Sequence, residues 1–287
     1  MKLFGLLHKK FNSIFLVAIF GLYGSNAFSQ YTENTEVGVM GGVAYYLGDL
    51  NSTHFFQASG NIGLIIRKNI DNRFSYKTEI LYLSLRSDEK NSNDTIAQNR
   101  KLHFKTPIYE LSGQIEFNFL PYETGNPLYT WTPFIYTGFS LFHFNPKAEN
   151  PNGEWINLQP LGTEGQGTTT FPDRKKYSLI QFAIPMGGGV KIAVNKSFNI
   201  ILEYGIRKTF TDYIDDVSTT YAGPNRQGIW PVDMESNDVR YFSDPTGRED
   251  INYQGVQRGN PDKKDWYSFT GITLSFKLNN NTTGCDY

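Results

Sequence analysis

The chain has 287 residues, and its 27 Lys and Arg against 28 Asp and Glu give a formal net charge of −1. That balance offers no basic footprint for nucleic acid, and a single cysteine, Cys285, excludes an internal disulfide framework. Aromatic residues make up 15% of the chain, with 18 Tyr and 22 Phe, many of them near the ends of its apolar stretches.

The first thirty residues read as an export signal. Lys2, His8, Lys9 and Lys10 form a basic start, Ile14 to Leu22 is apolar, and "SNAFSQ" supplies the small residues of a cleavage site after Ala27 or Ser29. No cysteine lies there to carry a lipid anchor. The apolar run is shorter than the ~20 residues of a spanning helix, and none further on approaches that length, which excludes a helical membrane protein.

From there the pattern is alternation. Val37, Val39, Gly41, Val43, Tyr45 and Leu47 share one parity; Ile62, Leu64 and Ile66 follow, then Phe74, Tyr76, Thr78, Ile80 and Tyr82. Tyr109 to Phe119, Phe134 to Phe144, Ile180 to Val194, Phe198 to Phe210 and finally "DWYSFTGITLSFKL" (Asp265 to Leu278) continue it. Each reads as a half-buried strand. The connections at 69–72, 121–130 and 195–197 are brief, whereas those near 48–57, 87–103, 145–178 and 211–265 are longer. The long ones therefore share one end.

Short turns, long loops and an even number of period-two strands predict an all-β fold. It is an antiparallel up-and-down transmembrane β-barrel of about eight strands, with short periplasmic turns and long extracellular loops. Ten strands is the alternative count, because the loops 145–178 and 211–265 have room for a hairpin. The last strand must pair with the first to close the barrel, with Trp266 and Phe276 at the two membrane interfaces. The expected domains are a signal peptide 1–29, an outer-membrane barrel 30–278 and a periplasmic tail 279–287.

A soluble sandwich or lipocalin-like barrel shows the same apolar parity, turned to a core. The opposite parity decides for a membrane. Arg67, Lys77, Glu79, Glu110, Gln114, Glu116, Gln181, Lys191, Glu203, Arg207 and Lys277 fall there, together with Leu81, Leu83, Phe139, Leu141, Ile201 and Gly187. Eight strands enclose just enough space for side chains. The lumen is thus expected to be filled by ion pairs rather than to conduct.

Few constellations suggest chemistry. His54, His103 and His143 fall near the outer rim, with Ser52, Ser112 and Ser140 not far off, but no G-x-S-x-G elbow accompanies them and no enzyme is expected. Gly41-Gly42 and Gly187 to Gly189 lack phosphate-loop spacing and read as close-packing points. Asp212, Asp215 and Asp216 can offer oxygens to Ca²⁺ or serve as turn and capping carboxylates; no calcium-loop spacing is present, and neither metal nor cofactor is expected. Cys285 can form a disulfide with another chain or stay an unpaired thiol in a frayed tail.

Three stretches go beyond a generic barrel: "GGVAYYLGDLN" (Gly41 to Asn51), "DYIDDVSTTY" (Asp212 to Tyr221) and "RGNPDKKDWYSFTGITLSFKL" (Arg258 to Leu278). In these the chain resembles the PorG-type outer-membrane proteins of the type IX secretion and gliding apparatus. The resemblance implies a non-enzymatic barrel in outer-membrane lipid that holds a periplasmic ring of PorK-like lipoprotein and PorN-like subunits. Its motif residues here are Tyr45, Tyr46, Leu47, Gly48, Asp49, Asp215, Asp216, Ser218, Thr219, Tyr221, Trp266 and Tyr267, expected to cap the lumen on the outer side. A ring contact must use the periplasmic face, by expectation Cys285, Asp286 and Tyr287 of the tail and Pro121 and Tyr122 of the longest short turn.

Overall fold

The computed structural model describes residues 33–247 and 253–278. The expected signal peptide and the tail with Cys285, Asp286 and Tyr287 lie outside the described residues. Among the described residues no helix is long and apolar enough to cross a membrane. Strands do the crossing.

Eight long antiparallel strands close on themselves: β1 (Asn34–Leu47), β2 (Ser59–Asn69), β3 (Phe74–Asp88), β4 (His103–Asn118), β5 (Trp131–Phe144), β8 (Ile180–Ala193), β9 (Phe198–Thr209) and β10 (Trp266–Leu278). Their order is β3-β2-β1-β10-β9-β8-β5-β4, and a further β3–β4 pairing completes the circle. First and last strands pair through thirteen positions, from Thr35 opposite Leu278 to Leu47 opposite Trp266. Closure leaves no sheet edge, as lipid demands. The count is eight in the wall; β6 (Lys147–Glu149) and β7 (Trp155–Asn157) form a small hairpin in the β5–β8 loop that pairs with β4 at Lys105 opposite Lys147.

Alternation sets which face each side chain takes. The outward set, among it Val39, Leu64, Ile80, Leu111, Ile115, Leu202 and Ile272, is exposed although apolar. Aromatics bound this band at both ends: Phe74 and Phe117 (5.3 Å) with Phe198 and Phe276 (5.0 Å) at the short-turn end, Tyr82 and Tyr109 (5.1 Å) at the long-loop end. An apolar belt with aromatic girdles around a closed sheet is a bilayer-spanning exterior. The protein is an outer-membrane β-barrel.

Two side chains correct the sequence expectation. Phe139 and Leu141 face lipid, 56% and 40% exposed, rather than the lumen. β5 is apolar on both faces, so its own pattern cannot choose between them. Pairing chooses: Glu110 and Ser112 are inward residues of β4, and opposite them stand Phe142 and Ser140, which turn inward and push Phe139 and Leu141 out.

Glycines let the wall close tightly where strands crowd. A Cβ at Gly42 would meet the Thr270 carbonyl oxygen, and one at Gly189 that of Leu202. This fits the close-packing reading at Gly42 and at Gly187 to Gly189, whereas a Cβ at Gly41 would meet no neighbour.

Candidate functional site

The inward residues of six strands converge on Glu116. Arg67 of β2 donates to it through Nε (2.7 Å) and a terminal nitrogen (3.2 Å), and Lys191 of β8 through Nζ (2.5 Å). The other side of Arg67 donates to Glu36 of β1 at 3.0 Å, while Lys77 of β3 donates to both oxygens of Glu203 on β9 at 2.9 Å. One layer outward, Arg207 donates to Glu110 at 2.8 Å, and Tyr267 donates to the second oxygen of that carboxylate at 2.6 Å. All of these side chains are buried. Buried charges are tolerated only when paired and hydrogen-bonded, and here neighbouring strands supply the partners. Rings fill the remaining space, with Lys77 over Tyr136 (4.6 Å) and Arg207 over Phe269 (4.7 Å). Of the other predicted lumen residues, Gln114 donates to Glu79 at 2.8 Å, Leu81, Leu83 and Ile201 are buried, and Gly187 and Gln181 are half-buried.

The β4–β5 turn closes the periplasmic end. Tyr122 donates to Asn199 at 2.9 Å, Thr124 donates to Glu36 at 3.0 Å, and Lys277 donates to the Thr124 carbonyl at 3.1 Å. This corrects the expectation for Tyr122: it is buried, a plug rather than a partner contact. Pro121 is half-buried, and the face this turn presents outward is Leu128, 80% exposed, beside Tyr129.

The loops β5–β8 and β9–β10 build the outer cap. Tyr46, inward at the end of β1, donates to Asp215 (2.5 Å) and contacts Asp265 (2.8 Å). Asp265 in turn receives the Ile214 N–H at 2.8 Å. Asp49 receives the Asn260 N–H at 2.9 Å, which ties the β1–β2 loop to the Arg258–Asn260 stretch. Asp216 sits in the left-handed region, φ 64°, a conformation Asp tolerates better than most residues. That turn aims its carboxylate at Thr163 (2.5 Å) and Tyr177 (2.6 Å), away from Asp215. Glu164 accepts the Ser218 and Thr219 N–H groups (2.9 and 3.0 Å) and pairs with Arg258 at 3.1 Å. Arg258 also donates to the Asp216 carbonyl at 2.7 Å. Tyr221 packs edge-on against Tyr253 at 5.4 Å, and Tyr177 stacks on Tyr213 at 4.5 Å.

Burial pushes these acids up. Asp212 is raised to about 7, relieved in part by the Ser218 hydroxyl, and Asp216 to about 6 despite Arg258. Asp215 and Asp265 are raised well above the carboxylate range, first by burial; their mutual repulsion adds to the effect at Asp265. Both carboxylates share the single Tyr46 hydroxyl, a crowding that favours their protonated forms.

Not every predicted neighbour meets. Asp212 faces Ser218 (2.6 Å) while Asp215 and Asp216 face elsewhere, and among the described residues no group of three or more His, Cys, Asp or Glu is arranged to hold a metal. His54 reaches the Tyr45 hydroxyl at 2.9 Å, on the outer wall, where Tyr45 also meets Tyr204 at 2.8 Å. Ser112 and Ser140 are buried in the barrel, whereas His143 is exposed outside beside Tyr109. Leu47 ends β1 and Gly48, just beyond it, bridges to Asn51, while Trp266 lies opposite Leu47 under Lys208 at 5.8 Å. Glu36 was legible as an inward position of β1, and Asp265 stands at the head of the last strand's motif. Glu164 sits in the Gly- and Thr-rich run "LGTEGQGTTT", with no period to mark it.

These features define an outer-membrane barrel with a filled lumen whose two ends are built differently. The chain belongs to the family described as Domain of unknown function (DUF6089), whose model matches residues 12–157. No curated protein matches it in sequence. Among solved structures it is similar to Ail of Yersinia pestis in complex with the heparin analogue sucrose octasulfate (7% identity, 86% of this chain and 97% of that one, TM-score 0.39). It is likewise similar to Neisserial surface protein A (10%, 85% and 97%, 0.40) and to OprG of Pseudomonas aeruginosa (8%, 87% and 98%, 0.36).

Proposed function

We propose that this protein is a non-enzymatic docking scaffold of the outer membrane, working through its two ends rather than through its lumen. The observation that carries the reading is the Glu116 network, which with buried Tyr122 fills the barrel interior among the described residues. Following the PorG-type resemblance, the periplasmic end holds a ring of PorK-like lipoprotein and PorN-like subunits of a type IX secretion machine. The contact is Leu128 and Tyr129 of the β4–β5 turn together with the chain beyond β10, where Cys285 offers a thiol for a disulfide with a lipoprotein partner. Supporting this, Leu128 is the most exposed large apolar side chain among the described residues, and beside it is exposed Tyr129, a residue type enriched at interface hot spots.

The test is a gentle-detergent pull-down of the native protein beside Leu128→Asp and Cys285→Ser versions, run on non-reducing gels with partners identified by mass. A periplasmic lipoprotein recovered with the wild type and lost with Leu128→Asp supports docking, and a larger band that collapses in Cys285→Ser supports the disulfide. Recovery of the barrel alone refutes the ring. Planar-bilayer recordings should show no conductance, and steady channels would remove the premise.

A second reading, a surface adhesin or binding protein, draws on the cap. Ile229, Val232 and Val256 are exposed apolar side chains on the longest loop. Their replacement by Ser would abolish adhesion under this reading and leave ring capture untouched.

A further inference from the structure

Outside the girdle of Tyr82 and Tyr109, the wall between β3 and β4 carries a recess of about 590 Å³ whose lining includes Arg86, Lys105, Trp155, Asp88 and Glu149. Arg86 and Lys105 are directly opposed on the two strands, and opposed residues share a face. Each stands four residues beyond its girdle tyrosine. At ~3.4 Å per residue and a tilt of ~40°, that is about 10 Å above the belt, the depth of outer-leaflet headgroups.

The β6–β7 hairpin shapes the other side. Its Glu149 N–H donates to His103 Nε2 at 3.0 Å, its Lys147 lies opposite Lys105, and its Trp155 ring sits 5.7 Å from the Lys105 ammonium. Trp155 is half-exposed. Arg86 donates only at long range, to the Gln57 and Ala58 carbonyls (3.4 and 3.3 Å), and among the described residues neither it, Lys105 nor Lys147 has a carboxylate partner. Elsewhere in the protein, Arg67, Arg207 and Arg258 are each matched to acids. A guanidinium and an ammonium directly opposed on two strands, neither ion-paired among the described residues although Asp88 and Glu149 line the same recess, fit a phosphate. A half-exposed indole with Glu149 opposite it on the hairpin, in a recess that Asp88 also lines, fits a sugar ring and its hydroxyls.

We propose that this recess binds the phosphorylated sugar headgroup of an outer-leaflet glycolipid, with Arg86 and Lys105 on the phosphate and Trp155 against the sugar. The lipid's acyl chains then lie along the apolar wall of β3 and β4 directly below. Location selects this source over free phosphate, since the cations share their face with the lipid-contacting rows of both strands.

The folded protein is exchanged into detergent containing bisphosphorylated lipid A, and retained lipid is counted by native mass spectrometry. The wild type should hold one molecule. Arg86→Ala with Lys105→Ala should lower retention about tenfold or more, while Lys208→Ala, at the rim on β9, should not. Trp155→Phe should remove the shift in tryptophan emission that lipid A causes, a readout independent of mass. Equal retention by the double variant, or equal binding of dephosphorylated lipid A, overturns the proposal. Phosphatidylglycerol held as well as lipid A would mean a merely anionic surface, and an identical emission shift with inorganic phosphate would mean a free-phosphate site. Either overturns the glycolipid assignment.

Discussion

Glu116→Gln is the sharpest probe of the lumen, because it keeps shape and removes one charge. Glu116 is the carboxylate that Arg67 and Lys191 both contact, and it lies 3.8 Å from Lys77. Without its charge Arg67 keeps Glu36 and Lys77 keeps Glu203, but Lys191 loses its one ion-pair partner among the described residues. Breaking a buried pair from one side costs about 3–5 kcal/mol, since a desolvated charge is left behind. The expected loss is therefore on the order of 4 kcal/mol, read from urea unfolding of the barrel in lipid and from the temperature at which its gel mobility changes. Glu33→Gln is the control: its partner Lys68 is 3.1 Å away but both are 58% exposed, so at most about 1 kcal/mol is at stake. Adding Lys191→Met to Glu116→Gln should recover part of the loss by removing the orphaned cation. A Glu116→Gln barrel as stable as the Glu33→Gln barrel would refute the account of the lumen as an interlocked ion-pair lattice.

Three further outcomes follow from the cap and the wall. Asp212 and Asp216 have folded values of about 7 and about 6, above those of the unfolded chain. An acid raised on folding stabilises fully below its unfolded value, and that stability is lost as pH climbs through the folded one. The cap should thus be tighter at pH 5 than at pH 8, by on the order of 2–4 kcal/mol, read as slower protease cleavage of the β9–β10 loop; a flat profile would count against it. Asp49→Ala and Asp216→Ala, which strip an Asn260 anchor and a Thr163–Tyr177 anchor, should each lower heat resistance by about 1–3 kcal/mol, and unchanged resistance in both would deny the cap its bracing role. Phe139→Lys puts a charge on the lipid face of β5 and should cost about 2–4 kcal/mol of folding stability in bilayers, against little effect if Phe139 faced the lumen.

Strand existence, order of loop lengths and closure of β10 on β1 were legible because a period of two is a one-dimensional signal. What stayed hidden has a physical cause in each case. β5 carries Phe134, Tyr136, Phe142 and Phe144 on one face and Ile135, Phe139 and Leu141 on the other, so its register comes only from its neighbours. Tyr122 lies in a turn whose path is set by Asn199, seventy-seven residues away. Glu164 gains meaning only when the chain brings the N–H groups of Ser218 and Thr219 to it.

The two ends of the barrel are sealed by different chemistry, and the difference bears on where partners can act. At the periplasmic end a short turn inserts Tyr122 and Thr124 and leaves Leu128 outside, so its exposed side chains have few bonds to break when a partner arrives. At the outer end the sealing groups are protonatable acids gathered from loops far apart in sequence, with Tyr46 as the one strand residue that bridges Asp215 and Asp265. A partner pulling on the turn would work against one neutral hydrogen bond, Tyr122 to Asn199, and two charge-assisted ones, Thr124 to Glu36 and Lys277 to the Thr124 carbonyl, whereas one that opened the cap would have to separate Arg258 from Glu164 in a buried setting. The bonds that hold the turn and those that hold the cap lie between different residues, so an event at the periplasmic face need not loosen the outer cap, as the docking role proposed above requires.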